Sequence, residues 1–204
     1  MAVKGLRAEY AEATRSALLD AGRRLFIERR YADLSAEEIA RAARLTRGAL
    51  YHHFGGKQGL FEAVFEQIEE ELTGRLTGEL TEDDAWHNAL QALDAFLDEC
   101  TSVPYQRIVL QEGPVALGWD RWRELDERHM LGLVRNVVEE LTEAGIFQPR
   151  ATDLVVRAIY GLLTEMAWGI AEAADGDQAR RDAGQIALDM IGALRRSTPE
   201  TSKT

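Results

Sequence analysis

Two helix starts crowded into one short stretch constrain this chain more than any other feature. Ser35 opens the run Ser-Ala-Glu-Glu, in which its side chain can accept from the backbone N–H of Glu38 while the Glu38 carboxylate reaches back, a capping box. Thr46 is a second N-cap only a few residues later. Ile39, Ala40 and Ala43 give the first of these helices an inner side, and "ARL" leaves room for nothing but a tight turn. Two short helices joined so closely form a helix-turn-helix.

The rest of the chain keeps a helical period. Leu18, Ala21, Leu25 and Phe26 mark a preceding helix, and Leu60 to Leu76 mark a long one that begins near Lys57 and runs towards Leu80. Thr81 starts a helix through Leu97, a short helical piece covers 105–111, and another runs from about Asp120 to Glu143, ended by Gly145 and Pro149. Two more are predicted over 152–173 and 178–195. Strand alternation and internal repeats are absent from the pattern, so the fold class is all-α. The expected division is a helix-turn-helix domain over 1–56, a helical bundle over 57–196 and a disordered tail over 197–204.

Three chemistries compete for the stretch "LTRGALYHHFGGKQGLF". Metal binding fails because His52 and His53, neighbours on a helix, point about 100° apart and have no His or Cys partner one turn away. A phosphate loop needs Gly five residues before its Gly-Lys step and Ser or Thr after it, where this chain has Tyr51 and Gln58. A DNA-reading helix passes the geometric test. With Arg47 at the origin, Leu50 and Phe54 fall at about 300° and 340°, a single inward face. Gly48, Ala49 and His52 lie opposite, with Tyr51 and His53 on the flanks, so an outer face of very small residues lets the backbone approach a groove floor. Thr46, Arg47 and His52 can donate to base edges or phosphates, and Tyr51 and His53 to backbone oxygens. Lys57, at the start of the next helix, is placed to favour a phosphate.

Charge supports this reading once its distribution is considered. The net charge is −11, yet residues 1–60 hold 11 Lys and Arg against 7 Asp and Glu, while the remainder holds 13 against 28. A basic head on an acidic body can bind a polyanion at one end. Cys100 is the single cysteine, which excludes an internal disulfide and suits a reducing cytoplasm. No uninterrupted apolar run reaches the ~18 residues of a spanning helix, and the N-terminus lacks an export signal, so no membrane partner is expected. Neither a metal site nor a cofactor is predicted. With no acid–base pair, Ser-His-Asp order or G-x-S-x-G, an enzyme is not expected.

Residues 14–66, "TRSALLDAGRRLFIERRYADLSAEEIARAARLTRGALYHHFGGKQGLFEAVFE", strongly resemble the N-terminal domain of TetR-family transcriptional regulators. The match lies in Leu25-Phe26, Tyr31, the Ser35 cap, Ile39-Ala40, Ala42-Ala43 and "GALYHHFGGK". The resemblance implies an all-α homodimer, usually a repressor, that binds double-stranded DNA at a pseudo-palindromic operator and answers to a small-molecule effector. It implies that the helix from Ser35 supports a recognition helix at Thr46–Phe54. Arg47, Gly48, Ala49, Tyr51, His52, His53 and Lys57 then fall where such regulators touch DNA, and Ser35 joins that set. Two positions depart from the family pattern: Arg30 and Arg44 stand where glycine is usual, and both add positive charge near the expected phosphates.

In the body, "EGPVALGWDRWRELDERHMLGLV" is rich in Trp, Gly and polar residues. Trp119, Trp122, His129 and Met130 are expected to line a ligand cavity opposite Phe96 and Cys100. "DLVVRAIYGLLTEMAWGIAEA" is apolar around more than half its circumference, more than one core face absorbs. Ile159, Gly161, Leu162, Met166 and Gly169, with Ile191 behind them, are expected in a four-helix interface with a symmetry mate. The reading from sequence is a dimeric, inducer-released repressor; its rivals are a DNA-binding architectural or protein-controlled regulator without a small-molecule pocket and, more distantly, a bundle with enzymatic activity.

Overall fold

The computed structural model describes residues 2–78, 84–148 and 151–195, with side chains from residue 8 onward. In chain order its α-helices are α1 (Ala2–Glu28), α2 (Ala36–Ala42), α3 (Arg47–Phe54), α4 (Lys57–Gly78), α5 (Ala85–Glu99) and α6 (Gly113–Leu117). They continue with α7 (Trp119–Asp126), α8 (Gly132–Glu143), α9 (Thr152–Glu172) and α10 (Gly176–Gly192). A 3-10 turn (Tyr31–Asp33) and two π-helical segments (Tyr105–Glu112 and Glu127–Leu131) complete the set. Among the described residues there is no strand; one isolated bridge joins Phe147 to Arg195. Packing divides the chain into two compact units, residues 1–70 with 103–125, and residues 71–102 with 126 onward.

In the first unit, α1, α2 and α3 pack on one another. Leu18 and Phe26 of α1, Ile39 of α2, Leu50 of α3 and Leu60 and Phe61 of α4 are fully buried. Each such side chain contributes roughly 1.5–3 kcal/mol over an exposed one. The Phe26 and Phe61 rings meet edge-on at 5.0 Å, and Tyr31 joins them at 5.3 Å from Phe61. The capping box forms as the spacing predicts: Ser35 Oγ accepts from Glu38 N–H at 3.2 Å, and Glu38 Oε2 accepts from Ser35 N–H at 2.9 Å. At the far end of α2, Arg44 stands at φ +57°. Its N–H bonds Arg41 O at 2.9 Å and the Leu45 N–H bonds Ala40 O at 2.8 Å, a Schellman ending whose left-handed residue is usually glycine.

Residues 103–125 complete this unit. The predicted helical piece at 105–111 is a π-helix over Tyr105–Glu112. Trp122 is buried over Gly113, where an added Cβ would lie 2.6 Å from Cδ1, and its indole N–H donates to Val109 O at 2.8 Å. Glu112, also buried, accepts from the Tyr31 N–H at 3.0 Å and pairs with Arg107 at 3.3 Å.

In the second unit, α9 packs on α8 and α10, and α5 on α8 and α10. The single helix expected from Asp120 to Glu143 is interrupted by π-helical turns at Glu127–Leu131. Tyr160 donates to the buried Asp126 carboxylate where that interruption begins, and desolvation first, then this carboxylate, holds the phenol well above its ordinary pKa. The expected start at Thr81 and the stop at Pro149 lie outside the described residues, as does the tail 197–204; α5 is capped by Asp84, which accepts from Trp86 N–H at 2.9 Å. Gly145, at φ +73°, ends α8. By length and composition α9 would pass for a membrane span, with mean hydropathy 1.4, although Arg157 and Glu165 interrupt its apolar sequence.

Candidate functional site

The recognition helix predicted at Thr46–Phe54 is α3. Thr46 Oγ1 accepts from Ala49 N–H at 3.2 Å, which fixes the helix start. Gly55, left-handed at φ +72°, closes its end with an N–H to Tyr51 O at 2.9 Å. Leu50 is fully buried and Phe54 half-buried, with the Arg15 guanidinium 5.4 Å from the Phe54 ring. Arg47, Gly48, Tyr51 and His52 are exposed together on the outer side, and Ala49 and His53 are half-buried. Arg47 lies 5.1 Å from the Tyr51 ring centroid and donates to its hydroxyl at 3.3 Å. The His52 and His53 rings sit edge-to-face at 5.1 Å. This outer face presents a guanidinium, a phenol and an imidazole around a glycine, the donor set that groove contact requires.

Two of the expected DNA contacts are engaged elsewhere. Lys57 donates to Tyr31 O at 2.8 Å and to Leu34 O at 2.7 Å, with its ammonium 3.9 Å from the Tyr31 ring. Two of its three N–H bonds are thereby spent on holding the turn before α2, and desolvation lowers its pKa. Ser35 is exposed, but its hydroxyl donates to Glu38 at 2.7 Å while accepting from the Glu38 N–H, so its one proton is used in the cap.

Gly59 went unread in the sequence. A Cβ there would lie 1.9 Å from Phe54 O, so α4 starts against the end of α3 at a distance only glycine allows. Lys57, Gln58 and Gly59 thus set the α3–α4 corner, with Gln58 donating to Ala116 O at 3.1 Å. The signal was present as the third glycine of "GGKQG".

A second candidate site is an apolar cavity of about 80 Å³ wholly within the second unit. Of the residues expected to bind a ligand, Phe96 and Met130 line it. Cys100 is buried and His129 half-buried, and neither is part of the wall. Trp119 and Trp122 belong to the other unit, where their rings stack at 4.9 Å; Trp119 is 54% exposed. Ile159 and Ile191, expected at a dimer interface, are among the residues that line the cavity. Gly161, Leu162 and Met166 are half-buried and Gly169 is exposed, and a Cβ added at either glycine meets nothing within 4 Å. The sequence reading missed Trp86 and Phe147, which line the cavity from α5 and from the loop after α8. Their rings lie 6.3 Å apart, and Arg195 places its guanidinium 4.7 Å from the Trp86 centroid.

Comparison with known proteins aligns both regions. The family described as bacterial regulatory proteins, tetR family, matches residues 18–64, and the tetracyclin repressor-like C-terminal domain matches residues 86–194. The crystal structure of a TetR-family transcriptional regulator from Pectobacterium atrosepticum superposes with a TM-score of 0.81 at 35% identity, over 94% of this chain and 98% of that one. The transposon Tn10 TetC protein of Escherichia coli is 25% identical over 164 residues, 80% of this chain and 83% of that protein. RolR, solved in complex with its ligand resorcinol, shares the fold with a TM-score of 0.67 at 23% identity, over 96% of this chain and 100% of that one.

Proposed function

The chain belongs to the TetR family of bacterial transcriptional regulators, and from that premise we propose that it is a cytoplasmic, homodimeric repressor released by a small-molecule inducer. Residues 1–56 bind a pseudo-palindromic operator through α3, and residues 57–196 supply the dimer contact and the effector cavity. The observation that carries the DNA-binding assignment is the outer face of α3, where Arg47, Gly48, Tyr51 and His52 are exposed together over a buried Leu50.

The dimer reading is supported by what α9 and α10 leave uncovered. Leu154, Ile186 and Met190 are each at least half exposed, and among the described residues a Cβ added at either α9 glycine would meet nothing within 4 Å. Such a face fits a copy of itself across a two-fold axis. The cavity favours effector control over the protein-controlled rival, and the resorcinol complex of RolR is a precedent on the same fold. An effector acts by re-spacing two recognition helices that must meet half-sites about 34 Å apart, where a shift of a few ångströms loses one half-site.

Genome-wide mapping of bound DNA, followed by footprinting of the recovered sites, tests this function. Recovery of a two-fold-related motif, with binding lost in Tyr51→Ala at an unchanged melting temperature, is the expected result. Binding without sequence preference, or loss of the fold together with binding, would count against it.

A further inference from the structure

The walls of the cavity specify the chemistry of its occupant. Leu76, Phe96, Met130, Val137 and Leu163 contribute hydrocarbon and a thioether, and the indole of Trp86 carries the one N–H among the lining side chains. An ionised group brought here would lose its hydration and meet no opposite charge, and a hydroxyl would lose a hydrogen bond. The space of about 80 Å³ is roughly half the ~150 Å³ of an apolar cavity that admits benzene, so a single ring is the upper limit and enters only as flexible wall side chains give way. Leu188 lines it and is 39% exposed, so one edge reaches the surface, and the unbranched Met130 can adjust its rotamer to an incoming group. Trp86 is a fixed part of the wall, held by Phe147 and by Arg195, which is not itself among the lining residues.

We infer that the cavity takes a small, uncharged, hydrocarbon-rich molecule of single-ring size, seated beside Trp86, and that it rejects organic cations and carboxylates. As the identity of the effector, this rests on the inducer-released reading above; as a statement about binding, it stands on the cavity alone.

Toluene, benzoate and benzylammonium carry the same ring and differ in charge, so they serve as probes on the full chain without DNA. Calorimetry should give toluene an affinity at least 100-fold above that of either ion. Toluene should also shift the tryptophan fluorescence, and Trp86→Phe should retain binding while losing that shift. Ala92→Leu fills the cavity from α5 with a good helix former and should weaken toluene binding at least tenfold; Ala89→Leu, one turn away, makes the same test should the first variant fold poorly. Absence of toluene binding, equal binding of an ion, or toluene binding unmoved by the filling variants overturns the assignment. Operator release is measured separately. Toluene that occupies the cavity and leaves the DNA complex intact overturns inducer control and leaves the ligand class standing.

Discussion

Arg44 closes α2 in a backbone conformation, φ +57°, that costs a side-chain-bearing residue roughly 1–2 kcal/mol. Arg44→Gly removes that strain and gives back part of the gain through a more mobile unfolded chain. The expected result is a rise of about 1 kcal/mol in unfolding free energy, read as a higher denaturant midpoint at unchanged slope. A midpoint that falls would mean that the arginine side chain more than offsets its own strain. Lys57 invites a different measurement, because its ammonium is directed to the carbonyls of Tyr31 and Leu34. Lys57→Met should weaken operator binding by loosening the turn that carries α2, while the slope of log K against log salt stays unchanged. Loss of a direct phosphate contact would instead lower that slope by about 0.9 per contact.

At the scale of the element, α2 is tied to acidity through its cap. The Ser35 hydroxyl first, then the Ser35 N–H and the Arg29 guanidinium, hold the Glu38 carboxyl down to about 2. Because the folded pKa lies below the unfolded value of ~4.3, the contribution of this cap is complete above that value and fades as pH falls towards about 2. Glu38→Gln should remove the acid-linked part of α2 melting within that window, as followed by the amide resonances of residues 35–38. This element was legible in the sequence because its signals are local: a cap, a box and an inward face all lie within a few turns. The same holds for α3 and for α9, whose bounds fall within a residue of those expected. What escaped depends on distant chain. The partners of Lys57 lie 23 and 26 residues away, and five α-helices, a π-helical segment and a loop build the cavity, so no window of sequence contains it. Trp119 and Trp122, expected in the cavity wall, form an aromatic pair in the other unit, where Trp122 packs over Gly113.

For the whole molecule, charge is distributed unevenly along the chain. Residues 1–60 carry a surplus of four positive charges and the rest a surplus of fifteen negative ones, which on the proposed reading favours a polyanion at the N-terminal residues. Gly161→Glu would set two carboxylates against each other across the proposed two-fold contact. Sedimentation at micromolar concentration should then show monomers, with operator affinity reduced at least tenfold; an intact dimer would put the contact on another face. The apolar cavity beside Trp86 also has a mechanical meaning. Counted per mole, 80 Å³ is about 50 mL, within the ~20–100 mL/mol by which unfolding commonly shrinks a protein and its water. Compression therefore favours the unfolded chain in proportion to this void, and a ring that fills it should make the folded regulator stiffer to hydrostatic pressure as well as more resistant to heat.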